Sequence, residues 1–146
     1  MVPRVSELLV SAADHLRVGS VEQVADAVTR SHLPDFRCVG WYAAPPPGWS
    51  VVIDAEYADQ VVPAPLARRF GADGFWQRWT RAECFCKLAD IPMLAWWPEH
   101  GLDVPAEFEG EWRTLAVGPL IVTVAFAPTE PRSPEPQSPE PQPPRA

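Results

Sequence analysis

A tandem repeat near the C-terminus limits how much of this chain can fold. Ser133-Pro134-Glu135-Pro136-Gln137 is followed at once by Ser138-Pro139-Glu140-Pro141-Gln142. Each proline fixes φ and removes a backbone donor, and residues 129–146 offer no large apolar side chain to bury. The segment reads as a disordered, extended tail, so one folded domain is expected over residues 1–128 and the tail over 129–146. Hydrophobic residues make up 47% of the 146, enough for one domain with its own core and too few residues for two of ordinary size. No apolar run reaches bilayer length, and the first ten residues lack the basic-then-apolar order of a secretory signal. A cytoplasmic protein with no membrane partner is therefore expected.

The net charge of −7 argues against a nucleic-acid partner. That charge is uneven. Residues 68–87 hold Arg68, Arg69, Arg78, Arg81 and Lys87 against Asp73 and Glu83, whereas residues 99–111 hold five acids and no Lys or Arg. A basic patch in an acidic chain suggests an anionic ligand, although the same arginines also suit a plain solvated helix face. Cys38, Cys84 and Cys86 are not spaced like a zinc pair and read as reduced, buried thiols.

Two amphipathic helices are expected at the start. Val5, Leu8, Leu9, Ala12 and Leu16 share a face up to Gly19. Ser20 to Gln23 then forms a capping-box pattern, with Val21, Val24 and Val28 inward. Strands follow at about 36–44 and 49–57, divided by the turn signal Pro45-Pro46-Pro47-Gly48. A short helix at 66–70 and a longer one at about 74–89 lead to an irregular stretch rich in Trp and Pro. Residues 112–117 and 120–127 close as an antiparallel pair turning at Gly118-Pro119. Helices packed on a small antiparallel sheet make an α+β domain.

Two runs carry the chemistry. Val51-Val52-Ile53-Asp54-Ala55-Glu56 ends an apolar strand with two carboxylates on one face. Trp79, Glu83 and Lys87 lie at i, i+4 and i+8, one stripe of a helix. Taken alone, that helix is also a surface helix with an ordinary Glu–Lys pair. Three carboxylates and a lysine from a strand and a helix suit a divalent cation and a phosphate chain, since magnesium takes a few carboxylates plus substrate phosphates. The carboxylates of Asp54, Glu56 and Glu83 are expected to converge at a common sheet rim.

Together the runs resemble the paired signatures of the 4'-phosphopantetheinyl transferase superfamily, an apolar strand ending in D-x-E and a W-x-x-K-E-x-x-x-K helix. The resemblance is to the C-terminal half of the Sfp type and extends over about residues 29–128. It takes in Ser31-His32 before a strand, the basic helix Leu66-Ala67-Arg68-Arg69-Phe70, the aromatic lead Phe75-Trp76-Gln77-Arg78-Trp79-Thr80 and the closing hairpin. Val52 stands where the family has glycine, and Ala82 where it has a lysine; Arg78, one turn earlier, is a candidate to supply that charge. The upstream half of the Sfp type has no counterpart here.

The resemblance implies magnesium-dependent transfer of the phosphopantetheine arm of coenzyme A to a serine of an acyl or peptidyl carrier protein. Asp54, Glu56 and Glu83 would hold the metal, Glu83 and Lys87 would act in catalysis, and His32, Arg78 and Lys87 would contact the coenzyme. An impaired relative that binds carrier protein or coenzyme A without chemistry, and a small structural or interaction domain, are the alternatives. Seven tryptophans are many for one small core. Trp41, Trp49, Trp96 and Trp97 are therefore expected to line an open flank, implying a homo-oligomer or a partner that supplies the missing half.

Overall fold

The structure, a computed structural model, describes residues 2–129. The expected tail lies outside the described residues apart from Thr129. The elements are α1 (Val5–Val10), a 3-10 turn (Ala12–His15), β1 (Leu16–Ser20), β2 (Thr29–His32), β3 (Arg37–Trp41), β4 (Trp49–Tyr57), α2 (Ala64–Phe70), α3 (Phe75–Ala89), α4 (Met93–His100), β5 (Glu111–Val117) and β6 (Leu120–Pro128). They form two antiparallel three-stranded sheets, ordered β1-β3-β2 and β4-β6-β5. The coarse α+β class holds.

Strand alternation on β4 and β6 decides the layering, and β6 is buried on both of its faces from Leu120 to Phe126. Val51, Ile53 and Ala55 join Val122, Val124 and Phe126 in a core shared with Val39 and Trp41 of β3 and with Val5, Leu8 and Leu9 of α1. Side chains of the alternate phase, Asp54 and Glu56 on β4 with Ile121 and Thr123 on β6, belong to the other face. There α3 crosses both strands, and Ile121 packs with Phe75, Trp76, Ala82 and Leu102. Three hydroxyls tie this layer together: Thr123 Oγ1 lies 2.8 Å from both Thr80 Oγ1 and Thr114 Oγ1, and Arg81 Nε donates to Thr114 at 3.0 Å. Helix α3 ends with Asp90 in the left-handed region (φ 55°), where Ile91 N–H reaches back to Cys86 O at 3.0 Å.

Four sequence expectations need correction. The second N-terminal helix is absent. Its capping box does form, with Ser20 N–H donating to Gln23 Oε1 at 2.8 Å and Gln23 N–H to Ser20 Oγ at 3.1 Å. It closes a run of turns rather than a helix, because Leu16–Ser20 pairs with β3 from Leu16↔Trp41 to Ser20↔Arg37. Val24 is buried as expected, but Val21 and Val28 are exposed. The stretch rich in Trp and Pro is not wholly irregular, for it contains α4, which starts after Pro92. Of the four tryptophans expected on an open flank, two are buried instead. Trp41 is 0% exposed and Trp96 6%; Trp49 and Trp97 are half-buried. Trp41 sits in the inter-sheet core, edge-on to Phe126, with its Nε1 donating to Ala43 O at 2.7 Å. The tryptophan argument for self-association is left with Trp49 and Trp97 alone.

Gly40 shows why the turns fit. A Cβ there would lie 2.8 Å from Ala27 Cβ, 3.1 Å from the Tyr42 ring and 3.2 Å from Val24 Cβ. The turn thus packs directly on the β3 backbone. Gly40→Ala should lower stability by about 1–3 kcal/mol through overpacking, read as a reduced urea midpoint at unchanged slope. An unchanged midpoint would show that this packing is loose.

Candidate functional site

The site forms where β4 leaves one edge unpaired. In its sheet β4 pairs with β6 alone, and its other edge faces β2. An edge strand presents N–H and C=O groups that need partners. Here side chains supply them. Ser31 Oγ, from β2, accepts a hydrogen bond from Ala55 N–H at 3.1 Å. Lys87 Nζ, from α3, donates to Ile53 O at 2.8 Å. The same two groups then meet Asp54 Oδ1, Lys87 Nζ at 3.2 Å and Ser31 Oγ at 3.4 Å. Asp54 is 7% exposed. Its other oxygen, Oδ2, is buried without a hydrogen-bond partner.

Electrostatics set this cluster apart from a surface ion pair. Burial pushes the Asp54 carboxyl up from 3.8 to about 7; Lys87 pulls it down, and the charges of Glu83 and Glu56 push it up again. Burial likewise raises Glu56, against a 3.3 Å hydrogen bond from Gln60 Nε2, with Glu83 adding to the rise. Glu83 is raised by burial and lowered by Lys87. Three carboxylates therefore face one ammonium, and each holds its proton more tightly than in water because burial disfavours the ionised form by more than Lys87 offsets. The neighbouring thiols are no nucleophiles: burial lifts Cys84 well above its ordinary value and Cys86 to about 12.

Asp54, Glu56, Glu83 and Lys87 are thus brought together, as the two sequence runs suggest. His32 and Arg78 are not. His32 is exposed and follows Ser31 on β2, so strand alternation turns it to the opposite face. Arg78 spends its guanidinium on the loop ahead of α3, donating to Phe70 O at 2.7 Å and to Gly71 O and Asp73 O at 2.9 Å. It clamps that loop and does not supply the charge absent at Ala82. Ala82 itself is 0% exposed. The residue that sequence reasoning missed is Ser31; the alternation Thr29, Ser31, Leu33 was the signal available for it.

A hard divalent cation suits the donor set. All the acids offer oxygen ligands, the charge is uncompensated, and Asp54 Oδ2 has no partner. The expected three-carboxylate convergence is not there as the side chains stand: among the described residues no group of three or more His, Cys, Asp or Glu is arranged to hold a metal ion. One or two of the carboxylates, with ligand oxygens completing the shell, is the arrangement that fits. Beside the cluster, Glu83 and Lys87 line a concavity of about 340 Å3 with Cys86, Ile91, Pro92 and Met93. A larger one of about 680 Å3 lies away from the acids, among Phe85, Leu88, Trp96 and Phe108. It contains no residue of the cluster, so size alone does not mark the site.

Comparison with protein-family models, with curated proteins and with solved structures returns no match. Among the described residues no helix is long and apolar enough to cross a membrane.

Two outcomes follow for the cation-free protein. Because Asp54 holds a proton more tightly folded than unfolded, its contribution is fully present below its unfolded value of 3.8 and is lost as pH rises to about 7. Stability should decline over that window, by at most about 4 kcal/mol from this group, and Asp54→Asn should flatten the decline. Chemical denaturation at a series of pH values checks both, and an equal slope in the variant would contradict them. Ser31→Ala leaves the Ala55 N–H unpaired and should cost about 1–3 kcal/mol, with faster amide exchange at Ala55 as its local signature.

Proposed function

We propose that this chain is a 4'-phosphopantetheinyl transferase-like protein whose cluster takes magnesium and the pyrophosphate of coenzyme A. The reaction is transfer of the 4'-phosphopantetheine arm to a serine of an acyl or peptidyl carrier protein. The observation that carries the reading is the buried, half-satisfied Asp54 carboxylate, flanked by Glu56, Glu83 and Lys87 at an open strand edge.

Bound magnesium would neutralise the pyrophosphate and polarise its oxygens. The chain's own residues do the rest. Asp54, whose Oδ1 meets the ammonium at 3.2 Å, and Glu83 on α3 would offer ligand oxygens, with Glu56 near the end of β4. Glu83, raised by burial, is a stronger base than a surface carboxylate and is suited to accept the serine proton. The serine oxygen forms a new bond to phosphorus as the bond to the leaving adenosine bisphosphate breaks. Lys87, on a 38% exposed side chain, steadies the phosphate charge on the departing side.

Binding without transfer is the second reading. Ala82 is fully buried where the family pattern has a lysine, and Arg78 is committed to backbone carbonyls. Both reduce the positive charge available to a pyrophosphate.

Incubation with coenzyme A, magnesium and a panel of apo carrier proteins, read by intact mass, separates the readings. Transfer adds the mass of phosphopantetheine to the carrier, is abolished by chelation, and falls at least about 100-fold in Glu83→Gln, the range expected for loss of a general base. Binding without any mass gain supports the second reading, and neither binding nor transfer overturns both.

A further inference from the structure

Before any ligand arrives, one cation already rests on the cluster. Of the twelve Lys and Arg residues in the chain, Lys87 alone is a lysine. Its ammonium contacts Ile53 O at 2.8 Å and Asp54 Oδ1 at 3.2 Å, while its side chain is 38% exposed against 11% for that of Asp54. The ammonium holds two partners while the side chain keeps more than a third of its surface open. A lysine is a point charge on a flexible stem, so this one can swing outward without repacking α3. The arginines nearby cannot do the same. Arg78 holds three carbonyls, and Arg81 is fixed by Thr114 Oγ1 at 3.0 Å and by the Trp112 ring at 4.7 Å.

Asp54 is also the carboxylate a divalent ion would most need, because its Oδ2 has no partner. An ion approaching Oδ2 meets the ammonium on Oδ1 of the same group. Two positive charges a few ångströms apart in a partly buried site repel far more strongly than they would in bulk water. Cation and ammonium therefore compete for one carboxylate.

We propose that the Lys87 ammonium is a resident counterion that closes the cluster, and that it passes from Asp54 to the phosphate of the incoming ligand when a divalent cation takes its place. This rests on the reading that the site takes a cation together with a phosphate. The consequence is linkage. A cation alone must drive the ammonium into water, whereas a cation arriving with phosphate gives it a new partner. Each ligand then tightens the other by the same factor. The single lysine thereby makes an empty site poor at holding a free metal ion and good at holding a metal–phosphate pair.

The test uses Mn2+ as the probe ion, with coenzyme A as the phosphate ligand. In the full-length chain, acylation of Lys87 by an N-hydroxysuccinimide acetate, read by peptide mass with the N-terminal amine as internal reference, should be slow. It should quicken with Mn2+ alone and slow again when coenzyme A is added. By electron paramagnetic resonance without phosphate, Lys87→Met should bind Mn2+ about tenfold tighter than the wild type, a modest fraction of the full Coulomb term because the side chain is partly solvated. Lys87→Arg should not. Equal or weaker Mn2+ affinity in Lys87→Met, with wild-type binding intact in the presence of coenzyme A, overturns the counterion proposal and leaves the site reading standing. No Mn2+ binding to any variant, with or without coenzyme A, overturns both. Should Lys87→Met fail to fold, the wild-type acylation rates decide: a rate indifferent to Mn2+ sinks the proposal.

Discussion

The unpaired edge of β4 is the constraint from which the rest of the site follows. A strand edge left to solvent is an aggregation hazard and a strand edge buried bare is unstable. This chain does neither. Ser31 closes Ala55 N–H and Lys87 closes Ile53 C=O, so two sheets meet along a seam made partly of side chains. Because those side chains come from β2 and α3, three elements are drawn to one point. The residue between the two capped groups is Asp54. Its burial is thus a result of how the sheets join.

Holding acids at that point is costly, and the surroundings show how the cost is borne. Below the acids, α3 is fixed by Thr80, Thr123 and Thr114, whose hydroxyls satisfy one another. Next to them Phe75, Trp76 and Trp79 stack and cross, with Trp76 Nε1 donating to Gln60 O at 2.8 Å. Those contacts anchor the helix whether or not Asp54 is satisfied. Native chains concentrate their violations of local rules at functional sites, and here the violations sit together: a buried acid with one free oxygen, two more acids raised by burial, and a single ammonium among them.

Much of this was legible in the sequence, for reasons that differ by element. β4 is readable because Ile53-Asp54-Ala55-Glu56 alternates, β6 because an apolar run follows the Gly118-Pro119 turn signal, and α3 because Trp79, Glu83 and Lys87 share one stripe. The N-terminal region misleads because its information is not local. Leu16 continues the helical face of α1, yet its place is decided by pairing with Trp41, twenty-five positions away in the register. The capping box at Ser20 is real and still does not start a helix, since tertiary packing on Gly40 outweighs a few tenths of a kcal/mol of local preference. Ser31 and His32 make the same point at the site. By chemistry the imidazole is the more obvious ligand, but strand phase points the serine inward. Charge alone likewise favours Arg78 as a phosphate contact, whereas three nearby carbonyls claim it.

The position beside Glu83 shows how the fold narrows the site's chemistry. Ala82 is fully buried in the cluster with Phe75, Trp76, Leu102 and Ile121, against the sheet. A lysine stem could lie along those apolar groups only if its head found a way out to water, and the close packing of α3 on Ile121 leaves a methyl there. With that position apolar and Arg78 tied to its loop, the positive charge available inside the cluster reduces to Lys87. A pyrophosphate carries more negative charge than one ammonium can offset, and Asp54, Glu56 and Glu83 add to the repulsion rather than relieve it. Any phosphate ligand must therefore bring its countercharge with it. On the reading proposed above, that countercharge is the divalent cation, and the two would arrive as a pair.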